Sequence, residues 1–210
     1  MLSRPTAREE IENSVSHGIG LLAAIAVAPF LIASAASGGS AQTIVGASVF
    51  SATMVLLYLS STLYHALPAP SAKRVLRTVD HAAIFLLIAG TYTPFTLGVL
   101  SGAWGWTLFG LVWTLALAGV LLETFGRMRY PKLSLALYIG MGWLVLIAAK
   151  PMIQLMQPWG LFWLVAGGVA YTAGVAFYAA KRIPHHHLIW HLFVIAGTAC
   201  HVVAVLRYAA

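Results

Sequence analysis

The chain has 210 residues, of which 60% are hydrophobic and only 8% charged, and its formal net charge is +7. A soluble domain holds about 25% charged residues, because its surface must be hydrated. This composition therefore excludes a soluble enzyme, a disordered chain and, despite the positive balance, a nucleic-acid binder, and leaves a polytopic membrane protein.

A helix needs about 20 mainly apolar residues to cross the hydrocarbon core. Seven stretches meet that length in chain order: 19–36, 44–67, 82–100, 104–122, 133–149, 159–180 and 187–208. Breakers separate them, including Ser37-Gly38-Gly39-Ser40, Pro68-Ala69-Pro70, Pro131 and Pro184. No stretch shows the alternating hydropathy of a barrel strand. The expectation is an all-α membrane protein, a seven-transmembrane helix bundle forming one domain over residues 1–210.

Ala33-Ser34-Ala35 at the end of the first stretch looks like a signal-peptide cleavage site. However, Glu9, Glu10 and Glu12 precede the run, and the run exceeds the usual 7–15 residues, so the stretch reads as a retained helix. Pro94 lies inside the third stretch and predicts a kink, with Thr91 or Thr93 placed to satisfy freed carbonyls. Cys200, the lone cysteine, has no disulfide partner and reads as packing.

Lys and Arg between the spans set the orientation. Arg4 and Arg8; Lys73, Arg74 and Arg77; Arg127, Arg129 and Lys132; and Lys181 and Arg182 share one side, ten in all, against Lys150 and Arg207 on the other. The N-terminus is thus predicted to be cytoplasmic and the C-terminus outside, as expected of a multi-pass protein of the bacterial cell membrane.

Ionisable groups at membrane depth are costly and mark function. Tyr58, Ser61, Thr62 and His65, at i, i+3, i+4 and i+7, form a polar stripe at the cytoplasmic end of span two. Span three starts on that side with Asp80, and span seven with His187 and His191 on one helical face. Alone, an H-x-x-x-H pair at a helix start is an ordinary interfacial feature. Joined by topology to His65 and Asp80, it points to zinc, which takes three protein ligands at a catalytic site and keeps a position open for water.

Other polar residues read differently. His17 suits either a partner of a ligating imidazole or an interfacial helix start. His201 lies 14 residues after His187, about 21 Å along the helix, too far for the same metal, and reads as a core histidine bonded to another helix. His81 points about 100° from Asp80 and is not a ligand. Glu123 reads as paired with Arg127, four residues on.

Several motifs together resemble the bacterial haemolysin III family. They are Glu10-x-x-Asn13-x-x-x-His17-Gly18, Ser61-Thr62-Leu63-Tyr64-His65, and Asp80-His81 running into Gly90-Thr91-Tyr92-Thr93-Pro94-Phe95. Met141-Gly142-Trp143, Tyr171-Thr172-Ala173-Gly174 and His187-Leu188-Ile189-Trp190-His191 complete the set, which spans residues 10 to 201. That family is the prokaryotic branch of the progestin and adipoQ receptors, in a superfamily with the alkaline ceramidases. The resemblance implies a seven-helix bundle with zinc near its cytoplasmic end. It assigns the metal to His65, His187 and His191, gives Asp80 the role of holding water at the open position, and places Ser61 one turn before the first ligand.

The function this implies is zinc-dependent hydrolysis of a lipid amide or ester, linked to membrane lipid homeostasis, with membrane lipids as partners and Asp80 and Ser61 as catalytic residues. The alternative is a pore-forming, cytolytic membrane protein or a lipid sensor in which zinc is structural. A pore has weak support, since no span carries a continuous charged stripe.

Overall fold

The computed structural model describes residues 6–125 and 131–209, with residues 131 and 132 described by backbone alone. Arg4, Arg127, Arg129 and the Lys132 side chain, used above to set orientation, lie outside the described residues, as do residue 210 and the expected Glu123–Arg127 pair.

The described chain is almost wholly helical. Helix α1 runs Ala7–Gly38, α2 Ala41–Ala66, α3 Pro70–Leu97 and α4 Gly102–Thr124. Helix α5 (Pro131–Gly142), a 3₁₀ segment (Leu144–Ala148) and α6 (Ala149–Leu155) follow, then α7 (Pro158–Ala179) and α8 (His186–Tyr208). Seven stretches are long and apolar enough to cross a membrane, the fifth being Leu133–Leu155. Helices α1 to α4 pack in sequence, α7 packs on α8, and α8 returns against α1.

Two helices start well before the apolar stretches that revealed them. Helix α1 begins at residue 7 rather than 19, because Thr6 and Glu9 form a capping box: the Glu9 N–H donates to Thr6 Oγ1 at 3.2 Å, and the Thr6 N–H donates to Glu9 Oε2 at 2.8 Å. The added turns reverse the polarity of a soluble helix. Asn13, Ser16 and His17 are buried, whereas Ile11, Val15 and Ile19 are exposed, as suits a helix with lipid outside and a polar interior. Helix α3 begins at Pro70 rather than 82, with proline at a position that needs no backbone N–H. Asp80 therefore lies ten residues into α3, about 15 Å along its axis, and not at its start.

The fifth span is broken, which the expected helix at 133–149 did not foresee. The Tyr92 hydroxyl secures the break: it donates toward the carbonyls of Met141 and Gly142, both at 2.9 Å, and accepts the Val145 N–H at 2.9 Å. Around Pro94 the threonines act differently from expectation. Thr91 and Thr93 donate to the carbonyls of Leu87 and Ala89, both at 2.8 Å, and not to that of Gly90, whose partner the proline lacks. Close approach of α2 to α3 depends on Gly46, where a Cβ would lie 2.7 Å from the backbone Cα of Pro94. By contrast, α5 and α6 touch their neighbours sparsely, and the bundle interior stays open on that side.

Candidate metal centre

The opening is a cavity of about 1060 Å³. Every one of the chain's 5 carboxylates and 8 histidines lines it. All but His201 crowd the end formed by the start of α1, the ends of α2 and α4, the first half of α3 and the start of α8. The rest of the lining is largely apolar, with Leu87, Ile88, Phe95, Leu100, Leu108 and Met152 interspersed with hydroxyls such as Thr91 and Thr96. In a chain with so few ionisable groups, this concentration makes the polar end the candidate place for acid–base or metal chemistry.

His65, the penultimate residue of α2, meets His187 and His191, one turn apart on α8. The ligand nitrogens of the three lie within 4.8 Å of one another, and Nε2 of His65 is 3.2 Å from Nε2 of His187. His65 and His191 are buried and His187 is half-buried. Among the described residues no other group of histidine, cysteine and carboxylate side chains comes together this way.

The outward nitrogens of two of these rings are already engaged. His65 Nδ1 lies 2.7 Å from Glu10 Oε2. His191 Nδ1 lies 3.2 Å from the Asn13 carbonyl and 2.9 Å from Ser16 Oγ, whose own hydroxyl donates to that same carbonyl at 2.8 Å. A carbonyl only accepts, so Nδ1 of His191 carries the proton. A carboxylate sets the same tautomer at His65. Each ring is left with a bare Nε2 lone pair facing the cluster.

This donor set fits a metal. Bare imidazole lone pairs that converge within a buried site call for a cation, and neutral imidazoles suit zinc. Nitrogens bound tetrahedrally at 2.0–2.1 Å stand about 3.3 Å apart, close to the His65–His187 separation. Three ligands from the protein leave one position open. The chain can hold a metal ion here.

Asp80, the chain's one aspartate, is buried in the same cavity wall, with Ser61 beside it. It stands outside the group of converging nitrogens. His17 is buried and stacks on His191, with ring centroids 3.5 Å apart and planes within 10°, while both its nitrogens lack a hydrogen-bond partner. It is therefore neither an interfacial residue nor a hydrogen-bonded partner of a ligand. His201 donates from Nε2 to the Leu164 carbonyl on α7 at 3.2 Å, in a slot where a Cβ on Gly167 would strike its ring. Helix spacing puts it about 15 Å from His191 along α8. His81 does not join the cluster and meets Glu123 across α3 and α4 at 3.2 Å.

Sequence reasoning missed Glu10, Asn13, Ser16 and Lys73 as neighbours of the centre. Lys73 Nζ lies 2.8 Å from Glu10 Oε1. The signal was present for α1: residues 10, 13 and 17 fall on one helical face at i, i+3 and i+7. In the sequence, the acidic residues before the first apolar run weigh only against a signal peptide, and their place on a helix emerges once α1 is seen to begin at residue 7.

Comparison with known proteins gives a consistent picture. A family profile described as "Haemolysin-III related" matches residues 6–202. The chain is 47% identical over 203 residues to the "Hemolysin-3 homolog" of Bacillus subtilis (strain 168), covering 97% of this chain and 95% of that protein. It is 43% identical over 201 residues to "Hemolysin-3" of Bacillus cereus, covering 96% and 92% respectively. A human protein, "Monocyte to macrophage differentiation factor", is 27% identical over 220 residues, covering 98% of this chain and 86% of that one.

Proposed function

This chain belongs to the haemolysin-III-related family as a multi-pass bacterial membrane protein, and from that premise we propose that it is a zinc-dependent hydrolase of membrane-lipid amides or esters. The observation that carries this reading is the cavity itself. Three imidazoles whose nitrogens converge and the only aspartate stand at one end of a largely apolar chamber large enough for a lipid chain. A polar head and an apolar tail match an acyl lipid whose scissile carbonyl rests at the histidines and whose chain lies along Leu87, Phe95 and Leu108.

His65, His187 and His191 would hold the ion. Zinc supplies Lewis acidity there, polarising a carbonyl and bringing the pKa of water to about 7. Asp80 orients the attacking water and accepts its proton. The Ser61 hydroxyl donates to the oxyanion that develops on the scissile carbonyl. The acyl–heteroatom bond breaks as the proton held by Asp80 passes to the leaving nitrogen or oxygen, and a carboxylic acid leaves beside an amine or alcohol. The low polarity of the surrounding wall strengthens each of these interactions relative to water.

Purified protein loaded with zinc should release free fatty acid from at least one member of a panel of N-acyl and O-acyl lipids in mixed micelles. Absence of release from every acyl lipid class by folded, zinc-loaded protein would overturn the hydrolase reading. The name carried by the Bacillus cereus relative favours a second reading, a cytolytic pore. It has weak support, since no span carries a continuous charged stripe.

The ten-to-two excess of Lys and Arg puts the polar end of the cavity in the cytoplasm. A C-terminal reporter that works only in the cytoplasm should stay silent, and one that works only outside should report. The reverse result would contradict this orientation.

A further inference from the structure

Helix α1 contributes no ligand to the candidate metal centre, yet it holds the outer nitrogen of two of the three candidate ligands. For His191 the holders are the Asn13 carbonyl and the neutral Ser16 hydroxyl. For His65 the holder is a side chain, Glu10, brought in from 55 positions earlier in the chain.

We propose that Glu10 is a positioning residue, which fixes His65 as the Nδ1–H tautomer and aims its Nε2 lone pair into the metal centre, with Lys73 clamping the carboxylate from the other side. The inference rests on the zinc reading given above. Both carboxylate oxygens of Glu10 are committed: Oε2 to His65 Nδ1 at 2.7 Å and Oε1 to Lys73 Nζ at 2.8 Å. The Lys73 ammonium lies 5.1 Å from the centroid of the Tyr64 ring, immediately before His65 in sequence, so the cation is itself held against α2.

A Glu–Lys pair serving only as surface charge would leave its carboxylate in solvent, where such pairs contribute little. Here the Glu10 side chain is 19% exposed and touches a histidine that is 4% exposed. A carboxylate accepting from Nδ1–H makes the opposite nitrogen the only one free to bind a metal, and raises its basicity as a donor. Loss of such a partner commonly lowers metal affinity 10–100-fold.

The test compares full-length detergent-purified parent, E10A, E10Q and K73M proteins by zinc competition against a chelator. It adds ¹⁵N spectra of labelled histidine in the zinc-free state, which report the tautomer directly. E10A should bind zinc about 10–100-fold more weakly than the parent, and E10Q and K73M less severely weakened, with zinc-free melting temperatures unchanged. The His65 signal should show Nδ1 protonated in the parent and shift toward the Nε2–H form in E10A. Parental zinc affinity in folded E10A, or an unchanged tautomer, would overturn the proposal. If E10A fails to fold, E10Q and K73M decide it by the same two readings. A parent that takes up no zinc at all would sink the zinc reading instead, while the zinc-free spectra would still judge the role of Glu10 in setting the tautomer.

Discussion

Alanine in place of His65 is expected to strip the metal. Structural zinc binding by a full ligand set is worth roughly 10–16 kcal/mol, so one imidazole among four positions carries on the order of 3 kcal/mol, or more than a hundredfold in affinity. The same loss is expected for His187→Ala and His191→Ala, because each removes one of three converging nitrogens. His201→Ala is the contrasting variant. It should keep its zinc but melt at a lower temperature, since it empties a packed slot between α7 and α8 and removes a hydrogen bond that ties the two helices together. Elemental analysis of each purified protein, beside its melting curve, separates the two outcomes. Full zinc occupancy in a folded His65→Ala protein would end the three-histidine account.

The contrast between those histidines shows what the sequence could disclose. His187 and His191 share a face by spacing alone, and the alternation of spans carries His65 to the same end of the bundle. Separation along α8 excludes His201 by simple helix arithmetic. All of this follows from periods of 3.6 residues and from the length needed to cross a bilayer. The pairing of Glu10 with His65 does not, because it joins residues on different helices and depends on how α1 and α2 are rotated against each other. The early starts of α1 and α3 were obscured for a related reason. Their first turns hold Glu9, Glu10 and Glu12, or Lys73, Arg74 and Arg77, and charge of that density ends an apolar run without ending a helix. The local signals that start both helices, Thr6 with Glu9 and Pro70 at N1, were nonetheless present.

The break in the fifth span is hidden more deeply. No proline stands at residues 142–144, and the interruption is stabilised by a hydroxyl from α3, Tyr92, whose role is visible only once the helices are packed. Glu123 also meets His81 from a neighbouring helix, a contact that spacing along the chain does not disclose.

Chemistry at the centre depends most on Asp80. Asparagine at this position preserves size and one acceptor oxygen while removing charge and basicity. The three histidines that would hold zinc are untouched, and Asp80 lies outside their converging group, so the metal should remain. Loss of a general base usually costs 10²–10⁴ in rate, and lipid turnover in Asp80→Asn should fall within that range. Ser61→Ala should lower turnover by a smaller factor, because it removes one hydrogen bond to the oxyanion and leaves the base in place.

The decisive measurement takes zinc content, melting temperature and fatty-acid release on the same preparations of the parent and Asp80→Asn proteins. Catalysis at this site predicts equal zinc, a retained fold and release reduced at least a hundredfold. Release unchanged in a folded, zinc-loaded Asp80→Asn protein would contradict it.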